Sequence, residues 1–158
     1  MYPYFTKHSR DLHAAEQSAP GELLRLFLKQ NPEYGTLQFR VTGGQGAFPI
    51  AGAQVVITQD LDETHAFSIS TLTDSSGKTD PLALPAPSKL LSQTPGNGSA
   101  GFVTYRAEIT APGYVGTEVL YIPVFDGVAT IQPVNLSTDI NGMRREEIER
   151  IQDEEPNL

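Results

Sequence analysis

The side chains best suited to acid-base or metal chemistry in this sequence are its three histidines, His8, His13 and His65. His8 and His13 lie five positions apart, whereas two zinc-binding imidazoles on one helix face lie four apart. His65 follows three acidic residues in a predicted hairpin turn, so we expect its imidazole to be solvated or locally paired. The sequence has no Gly-x-Ser-x-Gly nucleophile elbow, and no two carboxylates stand out as an acid and a base. We therefore predict a protein that is not an enzyme, with no catalytic, cofactor-binding or metal-binding residues.

Asp74 and Asp80 are the acidic residues that could suggest a calcium loop, but too few further oxygen donors lie at regular spacing around them. Asp74 precedes Ser-Ser-Gly, so we expect its carboxylate to accept hydrogen bonds from that turn, in which Gly77 tolerates a positive φ. The sequence contains no cysteine, which excludes a disulfide framework, a thiolate metal site and a cysteine nucleophile.

The charge of the chain limits its partners. The formal net charge is −8, and the lysines and arginines are scattered, so we expect no nucleic-acid partner. No apolar run approaches the roughly 20 residues that span a bilayer, and the opening residues lack the apolar core of a secretory signal. We expect a soluble protein made in the cytoplasm, without a membrane partner; its final localisation is unknown, and a virion or spore is one destination to consider.

Three segments differ in their sequence pattern: an N-terminal arm over residues 1–34, a β-rich body over 35–138 and an acidic tail over 139–158. The length fits one domain with extensions. The tail holds seven acidic residues and three arginines, so its net charge of −4 is half of the −8 of the whole chain. Two interpretations of the tail stay open, a solvated terminus and an arm that orders against a neighbouring molecule.

The arm contains a predicted short helix within SAPGELLRLFLKQNPEYG. Ser18 can cap it, Pro20 suits its first turn, and Asn31-Pro32 ends it. A helix of about ten residues is marginal alone, so we expect it to dock on its own body or on another chain. The residues that would form this docking face are Leu23, Leu24, Phe27 and Leu28, with Leu26 beside them.

The body alternates apolar and polar residues with a period of two, as half-buried strands require. In GTLQFRVTG, for example, Leu37, Phe39 and Val41 share one face. Several such segments, separated by glycine and proline, predict an all-β, seven-stranded antiparallel sandwich. The same alternation predicts that Tyr105 and Tyr121 are core or corner residues. The loop over residues 88–102 is either a binding loop or an insertion without function.

A corner is predicted at Ala-Pro-Gly-Tyr, between two of these strands. Pro112 fixes φ and ends the preceding ladder, and Gly113 supplies a conformation that a Cβ would disfavour. Tyr114 begins the next strand with a ring that can pack beside the turn. We predict structural roles for these three residues.

Three segments in this order, GTLQFRVTGGQGAFPIAGAQVVI, TLTDSSGKTDPLALPAP and YRAEITAPGYVGTEV, carry a family resemblance. They resemble the carboxypeptidase regulatory-like domain, a transthyretin-like (prealbumin-like) Greek-key sandwich, and are similar to the B-repeat domains of Gram-positive surface adhesins. With the ending PVFDGVATIQPVNL, the chain also looks like a module of Firmicutes spore-cortex-lytic and phage-like proteins. The resemblance implies an accessory module rather than a hydrolase.

The adhesin resemblance also implies an intramolecular isopeptide bond between a lysine and an asparagine beside a carboxyl group. Glu108 and Asn135 stand at matching positions, but the first strand offers Arg40, whose guanidinium is a poor nucleophile. We expect no such bond. A transthyretin-like hydrolase of the urate pathway would need a histidine-rich centre and a C-terminal Tyr-Arg-Gly-Ser, which the sequence lacks.

These observations predict a non-catalytic interaction module without cofactors, a subunit or accessory protein of a bacterial or phage-related assembly. It would bind protein partners, with self-association among the options, through its arms and loops. The alternative is a cell-wall module that binds peptidoglycan through exposed aromatic side chains and is linked to spore or peptidoglycan hydrolysis.

Overall fold

The computed structural model describes residues 21–93, 96 and 101–140. The predictions for Ser18, Pro20, His8, His13 and residues 141–158 lie outside this part of the chain. A first helix, α1, covers residues 21–30. In the described ranges, no helix is long and apolar enough to cross a membrane.

The rest of the described chain is mostly β-structure in two sheets. The elements are β1 (Glu33–Gly43), β2 (Phe48–Pro49), β3 (Gln54–Asp60), β4 (Ala66–Leu72), β5 (Leu82–Ala86), α2 (Lys89–Ser92), β6 (Phe102–Thr110), β7 (Thr117–Phe125) and β8 (Ala129–Leu136). The eight strands are one more than predicted, and the shortest, β2, has two residues, too few for an alternating pattern. β1 begins at Glu33, inside the predicted arm, because Glu33 and Tyr34 pair with Ala86 and Pro85.

The first sheet is built around β1. β5 and β2 pair with one edge of β1, and β8 pairs with the other. The second sheet has the order β4-β3-β6-β7, with antiparallel neighbours throughout. The polypeptide therefore forms two facing layers, as the alternation predicted.

The prediction that all strands are antiparallel is wrong for one pair. β8 runs parallel to β1 from Thr36↔Ala129 to Gly43↔Leu136. The connection over residues 126–128 carries the chain from the second sheet to the first, where the Thr36 amide donates to the Val128 carbonyl at 2.9 Å. A hairpin reverses a strand within one sheet, whereas this connection crosses between sheets and so does not impose an antiparallel neighbour.

The core lies between the two sheets. Leu37, Phe39 and Val41 of β1 are fully buried, and each such side chain stabilises the fold by about 1.5–3 kcal/mol. They pack in one cluster with apolar side chains of both sheets, among them Val55, Ile57, Leu84, Ile109, Ile122, Val124 and Leu136. The buried Thr79 hydroxyl accepts from the Phe39 amide at 3.0 Å, in the gap between β5 and β2.

α1 closes one end of this core. Phe27 is 9% exposed, and its ring centroid lies 5.5 Å from that of Phe67 and 6.5 Å from that of Tyr105. The Asn31 amide group donates to the Phe27 carbonyl at 2.9 Å, which ends the helix. Phe27 is therefore a core residue, and its contact is of the first of the two predicted kinds, docking on its own body rather than on another chain. Leu28 is 40% exposed.

Candidate functional site

The most distinctive surface feature is an irregularity in the ladder between β6 and β7. Tyr105 pairs with Ile122, but the next pair is Ala107 with Val119. Two residues of β7 thus oppose the single Arg106 of β6, which is the geometry of a β-bulge.

The bulge turns two consecutive side chains outward. Ile122 is buried and Val119 is half-buried against the core, whereas Leu120 and Tyr121 between them are 51% and 78% exposed. Tyr121 has a φ of 58°, a conformation that costs a residue other than glycine about 1–3 kcal/mol. An aromatic ring held outward by a costly backbone is a candidate binding group.

This position corrects the prediction that Tyr121 is a core or corner residue. The alternation of β7 shifts by one residue at the bulge, so residues after it face the opposite way from a regular continuation. The sequence contains a signal of this shift, since alternation of apolar and polar residues stops at Val119 and the rest of β7 is apolar. Tyr105 is buried, as predicted, and its hydroxyl donates to the Pro85 carbonyl at 2.6 Å.

A fixed cation lies directly opposite the bulge. Arg106 donates from Nε to Oδ2 and from Nη2 to Oδ1 of Asp60, each at 3.1 Å. Glu118 lies further away, with its Oε1 3.9 Å from Arg106 Nη1. The hydrogen bonds from Arg106 lower the pKa of Asp60 and raise that of Arg106, so both groups stay charged at neutral pH. Sequence reasoning missed this pair, because its members are 46 residues apart.

These groups border a shallow depression of about 290 Å³ on the outer face of the second sheet. Its lining combines hydroxyl, carboxylate, guanidinium and apolar groups from three strands. We call it the bulge surface and define it by Thr58, Gln59, Asp60, Thr104, Arg106, Leu120 and Tyr121. The arrangement offers hydrogen bonds and an exposed ring, which suits recognition.

A second recess, of about 990 Å³, lies between α1, α2 and the adjoining ends of β3 and β6. Leu23 and Leu26 line it from the helix, so part of the predicted docking face borders open space. Gln59 also lines it, and its Oε1 atom is buried without a hydrogen-bond partner among the described residues. Leu24 lines a smaller recess beside the turn between β3 and β4.

The predicted loop over residues 88–102 is described only in part. It starts with α2, whose N-terminal Ser88 hydroxyl accepts from the Leu90 amide at 3.3 Å. The Lys89 amide donates to Asp126 Oδ2 at 3.1 Å, which ties this turn to the connection between β7 and β8. Periodicity does not predict this helical turn, because four residues are too few to show a helical repeat.

Asp74 organises the turn between β4 and β5. Its Oδ1 atom accepts from the amides of Ser76 at 2.8 Å and Lys78 at 3.0 Å. Gly77 has a φ of 73°, and a Cβ there would collide with the Val41 carbonyl oxygen. The turn therefore needs glycine for both its conformation and its close approach to β1.

The Pro112, Gly113 and Tyr114 corner lies at the same end of the second sheet as the Asp74 turn, because Leu72 and Thr110 both pair with Gln54. The Tyr114 amide donates to the Ala111 carbonyl at 3.1 Å, and Gly113 has a φ of 83°. The Gly113 carbonyl accepts from the Asp139 amide at 2.9 Å, so the corner holds the chain that follows β8. These contacts are structural and lie apart from the bulge surface.

The remaining candidates do not form a reactive centre. His65 Nδ1 lies 2.9 Å from Asp62 Oδ1, and hydrogen bonds from the Thr64 amide and then from His65 lower the pKa of Asp62. Glu108 and Asn135 are exposed on strands of different sheets, and Asn135 Oδ1 accepts from the Gly46 amide at 3.1 Å. Across the described part of the chain, no group of three or more histidine, aspartate or glutamate side chains could hold a metal ion.

No protein-family model matches this chain, and no curated protein matches it. Several solved structures are similar to it. The Bacillus anthracis TIE protein is 16% identical with a TM-score of 0.45, over 67% of this chain and 17% of that chain. Catechol 1,2-dioxygenase from Acinetobacter sp. ADP1 is 13% identical with a TM-score of 0.45, over 70% of this chain and 54% of that chain. A chain of a type II cohesin-X-dockerin complex from Acetivibrio cellulolyticus is 17% identical with a TM-score of 0.40, over 75% of this chain and 72% of that chain.

Proposed function

We propose that this protein is a non-catalytic interaction module, a structural subunit or accessory protein of a bacterial or phage-related assembly. We further propose that its sandwich belongs to the transthyretin-like, carboxypeptidase regulatory-like class with Greek-key connections. The outward display of Leu120 and Tyr121 at the bulge, beside Arg106, carries the functional proposal. The bulge surface is thus added to the arms and loops as a site of partner contact.

A protein partner fits the chemistry of this surface. Tyrosine and arginine are the residues that most often dominate the binding energy of protein interfaces, together with tryptophan. Tyr121 can bury its ring and still direct its hydroxyl to a polar partner. Asp60 already accepts two hydrogen bonds from the Arg106 guanidinium, which reduces the side-chain entropy that Arg106 would lose on binding.

The position of these groups on strands also favours recognition. Both strands of the bulge belong to a four-stranded sheet whose inner face is packed in the core. A partner would therefore meet a preformed surface rather than a loop that must first be ordered.

A comparative capture experiment tests the proposal. The wild type, a Leu120→Ser/Tyr121→Ser variant and an Ile131→Ser control are immobilised and exposed to an extract of the source cells. Ile131 is a matched control because it is 60% exposed on a strand of the other sheet. We expect one set of proteins to be retained by the wild type and the control and lost from the double variant. Equal retention by all three would contradict a role for the bulge surface.

Glycan binding is the second candidate, and the exposed ring of Tyr121 beside Thr104 and the Arg106-Asp60 pair favours it. Ring faces pack on apolar sugar surfaces, while planar polar side chains bind hydroxyl groups. A pull-down on purified peptidoglycan separates the two candidates. Retention of the wild type and loss of a Tyr121→Ala variant would select the glycan, whereas the protein-partner proposal predicts no retention of either.

A further inference from the structure

β4 forms one edge of the second sheet. It pairs with β3 over its whole length, from Gln54↔Leu72 to Asp60↔Ala66, without a register shift. Within the described residues, nothing pairs with its other edge. A straight edge of seven residues is therefore available for a further strand.

The hydrogen bonds at the two ends of this ladder show which backbone groups point outward. The Thr73 amide donates to the Ala53 carbonyl at 3.0 Å, and the Leu61 amide donates to the His65 carbonyl at 2.8 Å. Bonded pairs alternate along an antiparallel ladder, so the residues of β4 that bond to β3 are Phe67, Ile69 and Thr71. The free amides and carbonyls consequently belong to Ala66, Ser68, Ser70 and Leu72.

β4 lacks the features by which proteins usually protect an edge. Charged side chains, proline and bulges prevent an edge strand from pairing with another chain, and Ala66–Leu72 contains none of them. The opposite edge strand, β7, has Pro123, Glu118 and the bulge at Tyr121. β8, at an edge of the first sheet, has Pro133.

We propose that β4 pairs antiparallel with β4 of a second copy of this chain, with the two-fold axis at Ile69. Ser68 then opposes Ser70 of the other copy, and Ala66 opposes Leu72. All the outward backbone groups find partners in this register, with about eight hydrogen bonds between the two strands. The two four-stranded sheets become one continuous sheet, and the contact is the same on both copies.

One observation favours a second copy as the occupant: the pattern of β4 is self-complementary, since serine meets serine and the small Ala66 leaves room for Leu72. Each copy carries a net charge of −8, but β4 has no ionisable side chain, so the paired strands place no like charges opposite each other. Pairing would also bury more of the half-buried side chains of Phe67, Ile69 and Thr71.

Light scattering coupled to size-exclusion chromatography, over a series of concentrations, tests the pairing. We expect the wild type to approach twice its 17.2 kDa mass as concentration rises. The variant Ser68→Lys/Ser70→Lys places like charges opposite each other and should be monomeric. Its matched control, Ser68→Lys/Ser70→Glu, places opposite charges across the interface and should remain dimeric. A monomeric wild type, or the same mass for both variants, would overturn the proposal.

Hydrogen exchange identifies any other occupant of the edge. The amides of Ser68 and Ser70 should be protected in concentrated wild type and exchange faster on dilution. Protection that persists in a monomer would assign the edge to another part of the same chain, and the proposal would then be wrong. β4 is distant in the sheet order from the bulge of β7, so this inference and the proposed function can fail independently.

Discussion

Tyr121 brings together an unfavourable backbone conformation and an exposed aromatic ring. Its positive φ costs free energy in the folded state, and its ring gains little burial in return. A strained and exposed residue contributes little to the stability of the fold. A role in binding explains it better, because stability and function often oppose each other at binding sites. Arg106, fixed by Asp60, supplies a charge at the same place.

Tyr121→Gly should therefore stabilise the protein while weakening binding at the bulge surface. Glycine adopts the positive φ freely, and we expect a gain of about 0.5–1 kcal/mol after the larger entropy of the unfolded chain is counted. Urea denaturation measures the change. Leu120→Gly in the same bulge is the control. It should destabilise the protein, because Leu120 does not have a positive φ and glycine there only increases the entropy of the unfolded chain. Equal destabilisation by both changes would show that Tyr121 is not strained.

At the scale of elements, the helix and the strands differ in how they gain stability. The strands are stabilised by pairing and by the core between the sheets, whereas the described residues of α1, 21–30, would be only marginally helical in isolation. Its contact through Phe27 with Phe67 and Tyr105 supplies the missing free energy. Leu26 and Leu28 are buried less than Phe27, since each has more than a third of its surface exposed to solvent. We therefore expect them to contribute less to the stability of α1.

Phe27→Ala should destabilise the protein by about 3 kcal/mol, because it removes a buried ring and leaves a cavity at the end of the core. Leu28→Ala, one residue along the same helix, should change the free energy of unfolding by at most about 0.5 kcal/mol. Thermal and urea unfolding of the two variants provide the comparison. Similar losses in both would contradict the packing of α1 on the body.

At the scale of the whole molecule, the two sheets meet closely where β1 approaches β7. Gly35 lies in β1 beside the end of β7, and a Cβ at this position would collide with the Phe125 carbonyl oxygen. The neighbouring Tyr34 carbonyl accepts from the Gly127 amide at 2.9 Å, which joins the central strand of the first sheet to the connection that follows β7. The closure of the sandwich depends on this approach.

Gly35→Ala should therefore destabilise the protein by about 1–3 kcal/mol through overpacking between the sheets. Gly116→Ala is the matched control, because a Cβ there meets only the Thr110 methyl group at 3.5 Å, an ordinary contact. The midpoint of urea unfolding should fall for the first variant and stay nearly constant for the second. An unchanged midpoint for Gly35→Ala would mean that the sheets can separate there without cost.

Features that depend only on neighbours along the chain could be predicted from the amino-acid sequence. Alternation predicted the strands and the buried side of β1, and the residue types at Asp74 and Gly113 suggested tight turns. These predictions need only local geometry, since side chains alternate along any strand and glycine favours positive φ in any turn. The absence of cysteine and of a nucleophile elbow is also a property of the sequence alone.

Features that join residues far apart in the sequence follow from the tertiary structure. The direction of β8 follows from a crossing between sheets, the burial of Phe27 from the docking of α1, and the exposure of Tyr121 from a bulge in its pairing with β6. The Arg106-Asp60 pair likewise forms only when β6 lies beside β3. In each case the deciding free energy comes from contacts between residues far apart in the sequence, which a local pattern cannot encode.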